Sequence, residues 1–106
     1  MPKFLVQASY TPEGARGVIK GGGAARRAAV QQMAQGLEGK VDAFYFGFGS
    51  DDAFVILDLP DNISMAACAL AVNAAGAAHI KTTVLLTPEE LDQAARKTVH
   101  YRSPGQ

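Results

Sequence analysis

The residues of this chain able to do chemistry are few, and they centre on one stretch, YFGFGSDDAFVILDLP, running from Tyr45 to Pro60. Asp52 stands at the entrance of the apolar run, where a carboxylate can act as a base or ligand contact, although aspartate beside glycine in a hairpin ordinarily accepts backbone hydrogen bonds. Imidazoles shuttle protons and ligate metals, which makes His79 a candidate. His100 lies far along the chain and Cys68 is the single cysteine, so no spacing suggests a metal centre. Tyr10 and Tyr45 can aim a phenol hydroxyl into a pocket, while buried tyrosines more often pack with that hydroxyl satisfied by backbone. Gln7, Ser9, Lys81 and Thr83 form polar strips on two strand-like segments. Ser9 has no base near it in sequence, so nothing marks it as a nucleophile. Arg26 and Arg27 follow the glycine run GGG and could meet an anion, but a solvated helix start is their ordinary role.

The alternating glycines of YFGFGSDD raise two nucleotide readings, and both fail on context. A phosphate cradle needs a strand before it and a helix after it, so that the helix N-terminus meets the anion. Here a strand-like run follows, Asp51 and Asp52 would repel phosphate, and Gly47 and Gly49 have no third partner. An RNA-binding sheet stacks bases on aromatics of its central strands and carries basic residues beside them. The run after the turn offers only Phe54, and Asp51 and Asp52 stand where the basic start belongs.

Ten Lys and Arg balance ten Asp and Glu, so no global field draws in nucleic acid or an anionic membrane. At 106 residues with 48% hydrophobic content, the chain is expected to form one domain with a modest core. The N-terminus lacks the pattern of a signal peptide, and the longest apolar stretch, around residues 65–72, is too short to span a bilayer. A soluble cytoplasmic protein without membrane, nucleic-acid, metal or cofactor partners is therefore expected.

The elements that must position these side chains follow from periodicity. In KFLVQASY, Phe4, Val6, Ala8 and Tyr10 fall on one face and Lys3, Leu5, Gln7 and Ser9 on the other, which predicts a half-buried strand. Thr11, Pro12 and Glu13 open a helix that the glycines at 21–23 should interrupt, with a restart near Ala24. In the second piece Ala29, Val30, Met33, Ala34 and Leu37 share a face that would pack on a sheet. KVDAFYFGF and AFVILDL read as a hairpin. Phe44, Phe46 and Phe48 are expected on one face of its first strand, with Val41, Ala43 and Tyr45 on the other. Pro60, Asp61 and Asn62 introduce a helix that Gly76 stops. That helix is apolar nearly all round, which suggests a second protein contact. HIKTTVLL is a fourth strand, and Thr87 with Glu90 makes a capping box for a terminal helix. Residues 1–98 are thus expected to form the domain, with 99–106 as a C-terminal tail.

The order βαββαβ predicts an α+β ferredoxin-like fold: an antiparallel sheet with its first and third strands central and both main helices on one face. The opposite face would bear Leu5 and Tyr45 among polar residues, and bare aromatic surface requires a cover. A second copy supplies it most simply, giving a homodimeric α/β barrel with a pocket between the sheets.

GSDD followed by AFVILDLPD, with AFYFGFG before it and IKTTVLLTPEEL after the second main helix, resembles the GYD-domain family of small bacterial proteins. The likeness runs from ASYTPEGARGVIK to TPEEL. It implies a dimeric α/β-barrel arrangement and no particular reaction. The family's glycine, tyrosine, aspartate signature maps onto Gly49, Asp51 and Asp52, and Thr82–Thr83 also fits its pattern. Asp51 stands where the tyrosine is usual. Two functions are carried forward: a small-molecule binding or assembly protein that associates with itself, as a dimer or higher oligomer, and a cofactor-free oxygenase or isomerase acting in the barrel interior. The ligand-binding candidates are Gln7, Ser9, Tyr10, Tyr45, Asp52, His79 and Thr83, and no catalytic residue is assigned.

Overall fold

Alternating burial along Lys3–Tyr10 (β1) shows the period-two pattern at work: Phe4, Val6 and Ala8 are buried while Leu5, Gln7 and Ser9 are half-buried. In the computed structural model, which describes residues 1–106, helices Pro12–Gly21 (α1) and Gly23–Gly36 (α2) follow. Strands Lys40–Phe46 (β2) and Ala53–Asp58 (β3) come next, then helix Asn62–Ala75 (α3), strand Ala78–Leu85 (β4) and helix Pro88–Ala95 (α4). The four strands lie in the order β2-β3-β1-β4, every neighbouring pair antiparallel. This is the ferredoxin-like topology, with β1 and β3 central.

The glycine run divides the helical region as expected. Gly22 sits at φ +89°, ending α1 and opening α2, a conformation that side-chain-bearing residues rarely adopt. Thr11 caps α1 by accepting from Gly14 N, and its hydroxyl donates to the Gly76 carbonyl at 3.0 Å, which ties the start of α1 to the α3–β4 junction. Asp61 caps α3 by accepting from Ser64 N, and Gly76 closes that helix in the left-handed region.

The core lies between the sheet and the helices, with Phe4, Val6, Val55 and Leu57 meeting Ala34, Met65 and Cys68. One strand departs from strict alternation. Val41 pairs with Leu57 and Ala43 with Ile56, so a bulge at Asp42 interrupts β2. The extra residue turns Val41 to the core beside Phe44, correcting its expected place with Ala43 and Tyr45. Phe44 and Phe46 do share a face and meet edge to face at 5.2 Å. Phe48 is different: it lies beyond the end of β2 and is fully exposed.

The C-terminal segment stands apart. Every residue from Pro88 onward is exposed, including Leu91 and Tyr101. The radius of gyration, 16.7 Å, accordingly exceeds the roughly 13 Å of a rounded domain of this length. No helix is long and apolar enough to cross a membrane.

Candidate functional site

With all helices of the core on one side, the other face of the sheet is open, and register determines its rows. Leu5 lies between Ile56 and Thr83, and Ala43 lies beyond Ile56. Gln7 lies between Phe54 and Lys81, with Tyr45 beyond Phe54, and Ser9 faces His79. The middle of this face is therefore an apolar band of Leu5, Ile56, Ala43 and Phe54, bordered by Tyr45.

Ionic clusters bound the band at both ends. At one, Lys3 Nζ donates to Asp58 at 2.8 Å and to Asp42, and Lys40 lies within 3.8 Å of both carboxylates. The hydrogen bond from Lys3 holds the Asp42 carboxyl below its ordinary range, and the bonds to Asp42 and Asp58 raise the Lys3 ammonium in turn. At the other end Asp51 is buried and is the hub. Its carboxylate accepts from Gln7 Nε2 and Ser9 Oγ, both at 3.0 Å, and from Lys81 Nζ at 3.1 Å. The Lys81 bond is the main reason that Asp51 titrates below the usual carboxylate range, with Ser9 and Gln7 adding to it.

Sequence reasoning did not single out Asp51 as a site residue. It reads there as a departure from a tyrosine, because the partners that give it a role lie more than forty positions before it and thirty after it. The partial signal was the polar strip Gln7, Ser9 and Lys81, all donors and without a visible acceptor.

The other candidates separate. Asp52 Oδ2 accepts from Tyr10 N at 2.9 Å, and Asp52 N donates to Ala8 O at 2.8 Å, so Asp52 extends the β1–β3 ladder beyond Ala53. That is the backbone role expected of it. His79 and Thr83 are exposed on edge strand β4, and Tyr45 is exposed on edge strand β2 at the far side of the sheet. Tyr10 does not join them. Parity puts it on the helix face, where it lines a cavity of about 50 Å³ with Val30, Met33, Ala53 and Cys68 and with Arg26, its one charged wall residue. Small residues leave this space, since Ala8, Ala53 and Ala78 form the floor. The chain's own apolar cavity is thus on the helix side, opposite the face where a pocket between two sheets would lie.

Ser9 Oγ does meet a carboxylate, but that group's affinity for protons is lowered and its oxygens are shared by three donors, which makes it a poor general base. No group of three or more His, Cys, Asp or Glu is placed to hold a metal ion. The turn between Gly47 and Asp52 leads into β3 and not into a helix, as a phosphate cradle requires.

Topology and site together define a ferredoxin-like α+β domain whose uncovered sheet face carries an apolar band between two ionic clusters. The GYD domain family model matches residues 4–95, most of the chain, and the chain belongs to that family. No curated protein and no solved structure matches it.

Proposed function

We propose that this protein works as a homodimer, closing its open sheet face against that of a second copy, and that it serves as a small-molecule binding or assembly protein. The observation that carries this reading is the makeup of the open face: half-buried Leu5, Phe54 and Ile56 in its centre, and polar groups at both ends already paired within the chain. Covering such a surface removes apolar area from water, while internal partners limit the cost of desolvating the charges. The four strands are six to eight residues long, so the sheet face measures roughly 19 by 20–26 Å, a projected area below the roughly 800 Å² that one subunit contributes to a standard interface, and side chains beyond the sheet supply the rest. Asp51 and Asp52 are both engaged in holding the hairpin to β1, so a catalytic reading of this face would rest on His79, which lies across from Ser9.

Native mass spectrometry and light scattering at micromolar concentration test the reading. A dimer is expected for the natural chain, and Leu5→Lys with Ile56→Lys should yield folded monomer. A natural chain that stays monomeric would refute it. A thermal-shift screen of metabolites on the same samples separates binding from assembly, because a ligand held between the sheets stabilises only the dimer-competent protein.

A further inference from the structure

Helix α4 is built to exist and has nothing to lean on. Thr87 accepts from Glu90 N, Glu90 accepts from Thr87 N, and Pro88 occupies the first turn, so the N-terminus is fully capped. Yet the helix has eight residues and none is buried, whereas isolated helices shorter than about 12–15 residues are marginal in water. Leu86 and Leu91 flank the cap in the positions of a hydrophobic staple and are 58% and 60% exposed. They form an apolar knob beside Glu89 and Asp92, which make no ion pair within the chain, while Glu90 is engaged in the cap and feels the charge of the N-terminal ammonium.

The complementary features occur on the helix side of the domain. Arg16 and Lys20 of α1 and Arg26 and Arg27 of α2 make no ion pair within the chain. Arg26 stands at the apolar cavity and also at a second depression lined by Met33, Ala71, Val72 and Ala75, so the two adjoin, and the outer one forms a trough between α2 and α3. Arg27 borders the neighbouring hollow beside Phe44 and Phe46. An apolar trough with the unpaired Arg26 at its rim matches a short acidic helix with a leucine knob, the helix-in-groove mode of recognition.

We propose that α4 of one copy docks into the α2–α3 trough of another, with Leu86 and Leu91 entering the trough and Glu89 and Asp92 of α4 meeting Arg26. This contact needs a second copy but uses the side of the sheet opposite the face invoked under "Proposed function". The two interfaces therefore fail independently. Where both form, dimers joined through their sheets are linked further by their C-terminal arms.

The test is a charge swap read by native mass spectrometry and sedimentation in low salt. Arg26→Glu, and separately Glu89→Lys with Asp92→Lys, should each weaken arm-dependent association by about tenfold or more. The chain carrying all three changes should recover it, and an equimolar mixture of the two one-sided variants should form mixed oligomers. Leu91→Asp should act like the single-sided swaps without changing the circular dichroism of the domain. The same comparison in the Leu5→Lys, Ile56→Lys background isolates the arm contact from the sheet contact. Swapped chains that associate like the natural one would overturn the proposal, as would triple variants that fold but fail to recover association. Protection of the α4 amides from hydrogen exchange in dilute monomer would overturn it too, by showing that the arm docks on its own chain.

Discussion

Gly14 and Gly17 sit one turn apart in α1, and the structure expects alanine to have opposite effects at the two positions. Replacing a glycine inside a helix by alanine gains about 1 kcal/mol from backbone entropy and propensity. At Gly17 nothing lies within 4 Å of the added methyl group, so Gly17→Ala should realise most of that gain. At Gly14 the new carbon would fall 1.9 Å from the Ala77 carbonyl oxygen and 2.9 Å from its carbon. Those atoms are backbone and cannot rotate away. Relief requires α1 to move off the α3–β4 junction, which stretches the 3.0 Å bonds from Thr11 N to Ala77 O and from Thr11 Oγ1 to Gly76 O. Overpacking of this kind costs about 1–3 kcal/mol, and each weakened hydrogen bond adds roughly 1 kcal/mol. After the propensity gain is set against these terms, Gly14→Ala should lose about 2–4 kcal/mol. For a domain of this size that is roughly 8–32 °C in melting temperature, while Gly17→Ala should raise it by a few degrees. The assay is thermal and urea denaturation of both variants at one fixed protein concentration, because association shifts the midpoint. Equal behaviour of the two variants, or stabilisation by Gly14→Ala, would refute the close approach of α1 to Ala77.

Three further outcomes are expected. Leu57→Ala, at a site 2% exposed, should cost about 2–5 kcal/mol in urea titrations at every protein concentration, whereas the loss in Leu5→Ala should depend on concentration if that residue is covered by a second copy. The Asp42 and Asp51 carboxyls titrate below their unfolded value, so their stabilising effect is fully present above about pH 4 and is lost as pH falls through the lowered folded values. Asp51→Asn should accordingly flatten the acid limb of a stability profile, and an unchanged limb would contradict the hub role of Asp51. Burial pushes the Cys68 thiol up, so iodoacetamide should modify it slowly in native protein at pH 8 and completely in denaturant, as mass spectrometry would report.

Local sequence determined the elements and much of the core. The alternation of β1, the glycine break near Gly22, the caps at Thr11, Asp61 and Thr87, and the stop at Gly76 act within a turn or two of the residues that encode them. Strand order followed from the sequence of elements, because few topologies place two helices on one face of such a sheet. What lay beyond the sequence depended on register. The bulge at Asp42 moved Val41 into the core, and no periodic reading detects one inserted residue. The site candidates were drawn from both faces: parity sends Tyr10 to the helix-side cavity, away from Gln7 and Ser9. Asp51 is the clearest case. Its chemistry comes from three donors on two other strands, a convergence that exists only once the sheet has formed. Short-range capping and periodicity are written in neighbouring residues, whereas a carboxylate acquires its role from whichever groups the pairing of distant strands brings within hydrogen-bond reach.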